Sequence, residues 1–548
     1  MAETFDYVIV GAGSAGCVLA NRLSEDGRNR VLLIEAGAPD SHLGTRMPLG
    51  FMAMAGKPGT DWGYVSEPEP GLGGRRVPLP RGRMLGGCSS INGMIYMRGH
   101  ARDYDEWAAL GCVGWSHDDV LPYFRRMESS WRGAGDRHGG SGPLPVREVR
   151  HDRLMMDPIM ASVRAAGHCE SGDLSVVQEG FASCEVTIDA RGRRASTSRV
   201  YLRPARSRPN LAVITDATVT RVILEGTNAV GVAYRHQGRE IEVRAGREVI
   251  LSGGAYNSPK LLMLSGIGPA GALRAHGIVP IVDLPGVGAN LSEHPMVYVE
   301  FAISEPTTFL HQLRFDRAAL STLRWALLGT GPFATQVTSC AVMLRTDPAL
   351  GRPDIQLMFL PIRLDARLWF PGIRKRQRHL ISVMVIQLHP EGRGRVELAS
   401  AEPDAPPAIR LGLLSNERDR ADLRRGIDAV RAIFAEAPLA GMTAGELKPG
   451  ADRTDDAALD AFLRDHVRIT QHPVGTCSMG VGPDAVTDPQ LRVVGVDGLR
   501  VVDASIMPRV PGGNTNAAVI MVAEKAADMI LGRPPLSRER TDGPAARS

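Results

Sequence analysis

The chain has 548 residues, too many for one hydrophobic core and enough for two or three domains. Its hydrophobic fraction of 43% and charged fraction of 23% are those of an ordinary globular protein and exclude coiled-coil, collagen-like and wholly disordered chains. Sixty-four bases against 60 acids leave a net charge of +4, which gives no reason to expect nucleic acid as a partner.

The seven cysteines form no CxxC pair, so neither a metal site nor a disulfide framework is suggested, and scattered thiols favour a reducing compartment. The opening Met-Ala-Glu-Thr-Phe-Asp has no basic leader, so no signal peptide is expected. No run approaches the roughly 18 apolar residues of a membrane span. The expected location is the cytoplasm.

The first predicted element is a strand at 6–10, apolar and rich in β-branched residues. Gly11-Ala12-Gly13-Ser14-Ala15-Gly16 follows at once, then 17–23 at helical spacing, then a strand at 31–34 ending on Glu35, 19 residues beyond Gly16. Strand, glycine turn, helix, strand and acid form a dinucleotide-binding fingerprint. Gly11 permits the tight turn, Gly13 lets backbone approach a diphosphate, and Gly16 lets helix and strand pack closely. The diphosphate sits at the helix N-terminus and Glu35 accepts from a ribose hydroxyl. The fingerprint alone does not separate FAD from NAD.

Next comes Arg81-Gly-Arg-Met84-Leu-Gly86-Gly87-Cys88-Ser89-Ser90-Ile91-Asn92-Gly93, whose paired glycines and small residues suit backbone passing close to a flat ring. Strands at 211–215 and 219–224 fit a β-meander. A strand at 249–252 leads through a glycine turn into a helix expected to start near Ser258-Pro259, with Leu261, Leu262 and Leu264 in the core. Runs at 355–359, 380–388 and 395–398 read as strands. Leu313, Leu320, Leu323 and Leu327 share one helical face, bounded by Gly329 and Pro332, and are expected in the core. Leu368-Trp369-Phe370 with Arg374-Lys-Arg-Gln-Arg378 reads as a solvated active-site lid or as a basic-aromatic patch making weak peripheral contact with a membrane. His472-Pro-Val-Gly-Thr476, a strand at 499–502 followed by Asp503-Ala504, then Gly513-Asn514-Thr515-Asn516 and an apolar helix from Ala517 to 530 complete the chain. Residues 536–548 are polar and read as a flexible tail.

The 81–93 stretch, Gly254-Ala-Tyr-Asn-Ser-Pro259 through Gly268, and the C-terminal His472 and Asn514–Asn516 motifs together resemble the glucose–methanol–choline (GMC) family of FAD oxidoreductases, nearest its choline dehydrogenase-like bacterial alcohol dehydrogenases. The resemblance implies a mixed α/β fold, with a Rossmann-like FAD domain (1–150, 211–300 and 461–535) and an inserted substrate domain (151–210 and 301–460) built on an antiparallel sheet covered by helices. It implies cofactor contacts from Gly11, Gly13, Ser14, Ala15, Gly16, Glu35, Ala36, Trp62, Met84, Gly87, Val219 (adenine), Asp503, Ala504 and Ala517. Asn92, Gly93, Met94 and Ile95 would lie against the reactive edge of the flavin. Ile91 stands where some members carry a covalently linked histidine, so FAD is expected to be non-covalent.

By the same resemblance, His472 is the base that takes the hydroxyl proton of an alcohol and Asn516 the partner that holds its oxygen, with hydride passing to flavin N5. Gln471 joins both in the substrate pocket. It is not aromatic, and a choline ammonium wants an aromatic cage, so an uncharged primary alcohol, aliphatic or aryl, is the expected substrate. Oxygen, quinone or another acceptor would reoxidise the flavin, and no metal is implied. Lyases on cyanohydrins and light-driven fatty-acid decarboxylases share the scaffold and stand as the alternative. The oligomeric state is not legible.

Overall fold

Buried β-branched runs near the N-terminus assemble a sheet with a parallel centre. The computed structural model describes residues 3–54, 56–149, 151, 154–175 and 179–537. Thr4–Val10 pairs in parallel with Val31–Ile34 on one side and with Arg239–Leu251 on the other. Val31–Ile34 pairs in parallel with Leu211–Ile214, and Arg239–Leu251 with Leu499–Val501. The carboxyl ends of these strands therefore share one edge, where open α/β sheets take their ligands.

Ala217–Glu225, Asn228–His236 and Arg239–Leu251 form the antiparallel meander. The 211–215 run, expected in that meander, belongs to the parallel part instead. Asp216, at φ +56°, turns the chain across the end of the second strand, where the Ala217 amide donates to the Glu35 carbonyl (3.0 Å). The helix after the third glycine turn begins at Gly254 rather than at 258–259 and runs to Leu264, with Pro259 inside it. Proline has no N–H for the Ala255 carbonyl, and the Thr476 hydroxyl donates to that oxygen instead (2.6 Å).

A second sheet is antiparallel throughout. Its order is Thr443–Lys448, Pro295–Ile303, Leu380–Gln387, Ile355–Leu360, Cys340–Leu344 and Gly180–Ser183, with Arg468–Ile469 also paired to the 295–303 strand. Pro295–Ile303, which straddles the boundary expected at 300, lies wholly in this sheet. Alternate residues face opposite ways. Val297, Val299, Val383 and Val385 pack against Leu423, Ile427 and Val430 of helix Glu417–Ala435. Met296, Tyr298, Met358, Met384 and Ile386 face a different apolar cluster on the other side. Arg395–Glu397, read as one more strand, pairs with Ala408–Arg410 in a separate two-stranded ribbon.

The leucine stripe is a correction. Leu313 is buried, but helix Phe315–Leu328 packs through Ala318, Ser321 and Trp325, and Leu320, Leu323 and Leu327 face outward. Spacing fixes which residues share a face, not which face is covered. Of the expected tail, 538–548 lies outside the described residues, and the Leu536 amide still donates to the Tyr123 hydroxyl (3.2 Å). Among the described residues no helix is long and apolar enough to cross a membrane.

Candidate active site

One cavity of about 880 Å³ is lined both by the carboxyl edge of the first sheet and by the inner face of the second. Gly11, at φ +98°, begins its cradle, and a Cβ there would stand 2.6 Å from the Ser252 carbonyl oxygen. Gly13 differs. A Cβ there would approach no protein atom closer than 3.8 Å, yet the residue lines the cavity, so it is the cavity's contents that demand a glycine.

Helix Ser14–Leu23 starts at this point. The Ser14 hydroxyl donates to Asn516 Oδ1 (2.8 Å), and eight residues further along each helix Arg22 Nη2 meets Glu524 Oε1 (2.9 Å). Helix Asn516–Ile530 is thus parallel to the first, and both N-termini face the cavity. Two aligned positive helix ends suit a diphosphate and a flavin that becomes anionic on reduction. Glu35 Oε2 accepts from the Ala12 amide and Oε1 from the Gly37 amide, both at 2.8 Å. Burial pushes its carboxyl up to about 7. Asp503 joins two turns by accepting from the Gly254 amide, the Ser258 hydroxyl, and the amide and hydroxyl of Ser505. These features fit FAD.

Most of the expected cofactor residues reach the cavity wall: Gly11, Gly13, Ser14, Ala15, Glu35, Ala36, Trp62, Gly87, Asn92, Gly93, Met94, Ile95, Val219, Asp503 and Ala504. Gly16, Met84 and Ala517 are not on it. Gly16 approaches the Gly11 carbonyl so closely that a Cβ would lie 1.9 Å from it. Met84 packs on Met54 and Ile91, and Ala517 is buried in the first turn of its helix.

At the other end, pairing of 295–296 with 468–469 and of Ser292 with Val474 brings His472 onto His294. Gly475, at φ +93°, permits this, because a Cβ there would stand 2.4 Å from the Asn290 carbonyl oxygen. His472 Nδ1 lies 2.8 Å from Thr470 Oγ1 and 3.1 Å from His294 Nδ1. Asn514 Nδ2 lies 3.3 Å from His472 Nε2. An amide nitrogen only donates, so Nε2 is the acceptor and the ring proton sits on Nδ1. Burial, then the neighbouring His294 and Arg81, hold His472 well below the usual histidine range, so the ring is neutral.

Asn514, not Asn516, is therefore the amide beside the imidazole. Asn516 is the first residue of its helix and turns toward Ser14. Gln471 lines the cavity at φ +69°, with Oε1 accepting from Arg81 Nη2 (2.5 Å). His466 is exposed at the end of helix Asp456–His466, away from this pair of imidazoles.

Three residues that sequence reasoning missed, Glu293 and Arg194 buried and Thr470 half-buried, support this end. Glu293 Oε1 accepts from both the His294 amide (2.9 Å) and the His472 amide (2.7 Å), while Oε2 has no partner among the described residues. Thr470 shares the Nδ1 proton. Arg194 is fully buried and Nη1 donates to Ser89 O, Asn92 O and Asn92 Oδ1, which pins the loop expected beside the flavin. The only sequence signal for Glu293 was an acid directly before a histidine.

Burial pushes the Glu293 carboxyl up to about 7. A raised acid binds more protons folded than unfolded, so it costs stability as pH rises from about 4.5 to 7. Glu293→Gln removes the ionisation and keeps an oxygen for both amides. It should raise the thermal midpoint above pH 7 and leave it unchanged near pH 4, as read by calorimetry. A lowered midpoint at high pH would mean that the ionised carboxylate is stabilising.

The chain matches the GMC oxidoreductase N-terminal model over residues 5–296 and the C-terminal model over 390–523. It is 43% identical over 540 residues to an oxygen-dependent choline dehydrogenase of Brucella canis, covering 98% of this chain and 97% of that one. It is 42% identical to one from Rhizobium etli over the same shares. Among solved structures, pyridoxine 4-oxidase from Mesorbium loti superposes with a TM-score of 0.85 at 32% identity, covering 96% of this chain and 99% of that one. A formate oxidase of Aspergillus oryzae, described for its FAD modification, superposes with a TM-score of 0.90 at 27% identity, covering 97% and 98%. The paired helix ends, the glycine cradle and these likenesses agree: the chain belongs to the GMC oxidoreductases, enzymes that bind FAD and act on CH–OH groups.

Proposed function

We propose that the protein oxidises an uncharged primary alcohol, aliphatic or aryl, to the aldehyde, with FAD bound non-covalently. The carrying observation is the wall opposite the cofactor cradle. Met296, Tyr298, Met358, Leu360, Met384 and Ile386 line it, with Gln336 and Thr338 as polar neighbours, and it ends on His472 and Asn514. No carboxylate stands on this wall. The cavity's acids are Glu35, Asp404 and Asp503; Glu35 and Asp503 are taken up by backbone and hydroxyl donors, and Asp404 pairs with Arg235. Phe51, Trp62, Tyr64, Tyr256 and Tyr298 all line the cavity, but a quaternary ammonium would find no counter-charge on this wall. Buried Ile91 offers no nucleophile for a covalent link to the flavin.

Bound FAD supplies the two-electron acceptor. The chain's own residues bind and polarise the alcohol. His472 Nε2, neutral and aimed at the cavity, takes the hydroxyl proton. Asn514 Nδ2 donates to the alcohol oxygen as negative charge grows on it. Thr470 and His294 hold the Nδ1 proton in place, and Glu293 fixes the backbone of both rings. The apolar wall orients the carbon chain and excludes water.

Anaerobic mixing with linear and benzylic primary alcohols should bleach the flavin band, with kcat/KM at least about tenfold above that for choline. Repeating turnover with oxygen and then a quinone identifies the acceptor. Choline as the better substrate, or turnover without bleaching, would reject this reading.

A further inference from the structure

The helix Phe315–Leu328 is inverted relative to an ordinary surface helix. Its covered stripe is Ala318, Ser321 and Trp325, whose Nε1 donates to the Gly192 carbonyl (2.7 Å). Its outer stripe is apolar: Leu320 is 66% exposed and Leu327 73%, with Phe315, Leu323 and Leu328 also open to solvent. The 367–378 loop extends the same face. The Phe315 amide donates to Trp369 O (2.9 Å) and the Trp369 amide to Leu313 O (3.1 Å), so loop and helix are joined by backbone. Leu368, Phe370 and Ile373 are exposed there, Ile373 by 85%.

Charge is concentrated on the same two segments. Residues 314–328 carry three arginines and one aspartate, and 367–378 carry four arginines and one lysine with no acid, so the sum is +7. The whole chain is +4, which leaves −3 for everything else. Among the described residues the only ion pair within these segments joins Arg314 to Asp316. The five bases of the loop stay uncompensated.

We propose that this face docks on an anionic lipid surface, the leucines and Phe370 entering the interface while the bases meet the headgroups. Outward aliphatic residues combined with uncompensated bases match an anionic bilayer. A symmetric contact with a second copy would oppose +7 with +7, and a nucleic acid would leave the leucines wet. Leu364, which lines the cavity, shares an apolar cluster with Ala366, Trp369 and Leu310, so docking sets the alcohol-binding wall beside the membrane.

The test is co-sedimentation of the holoprotein with phosphatidylcholine vesicles, with and without phosphatidylglycerol, at low and high salt. Wild type should pellet with the anionic vesicles and be released by salt. The R374Q/K375Q/R376Q/R378Q variant should bind more than about tenfold more weakly, and L320S/L327S should also lose binding while keeping alcohol turnover. These side chains are exposed, so folding should be unaffected. No binding at low salt, or equal binding by both variants, overturns the proposal. So does a concentration-dependent dimer, seen by sedimentation velocity, that the leucine variant abolishes. The readout is partitioning rather than turnover, so it stands or falls apart from the alcohol reading.

Discussion

His472→Ala is expected to lower kcat for the best alcohol by about 10²–10⁴-fold, the usual worth of a positioned general base. The FAD content of the purified variant should match wild type, because the hydrogen bonds of His472 go to Thr470, His294, Glu293 and Asn514 and not to the glycine cradle. The pH profile gives an independent check. Burial, His294 and Arg81 depress the ring's affinity for a proton, so the active neutral form persists below the ordinary histidine range. The kcat/KM profile should therefore be flat through neutral pH, with its acid limb displaced below 6.5. An acid limb at or above 6.5, or an alanine variant with wild-type turnover, would remove His472 from the role given to it.

The second large effect separates two asparagines that lie two positions apart. Asn514→Ala deletes the donor beside Nε2 and should reduce kcat by about 10²–10³-fold, as loss of one oxyanion donor does, with FAD retained. Asn516→Ala deletes the acceptor for the Ser14 hydroxyl at the paired helix ends. It should weaken FAD binding, read as faster flavin release in a dilution or gel-filtration assay, and leave the turnover of fully loaded enzyme within a few-fold of wild type. If instead Asn516→Ala abolishes turnover at full flavin loading while Asn514→Ala is mild, the assignment reverses to the one the sequence suggested. The two variants are scored on different axes, so a general loss of folding cannot imitate the pattern.

The difference between these residues shows where sequence reading stops. Both asparagines stand in one short motif, and which faces the imidazole depends on where the helix begins. Helix boundaries are the least certain part of any sequence reading. Asn516 enters the first turn and turns toward Ser14, while Asn514 lies before the helix.

The sequence by itself determined the nucleotide turn, the histidine proposed as base and the family. Each is written in residues close together along the chain, where backbone geometry demands glycine at Gly11 and small residues around Gly87. Tertiary structure alone decided the rest. It set Glu293 and His294 behind a histidine 178 residues away from the latter, through one antiparallel register. It chose which side of the doubly buried strands 295–303 and 380–387 lines the cavity; strands covered on both faces read as unbroken apolar runs and carry no sign of direction. It also left Leu320, Leu323 and Leu327 uncovered. A helical period states that such residues lie together, but what meets them depends on distant segments, and that information is absent from local spacing.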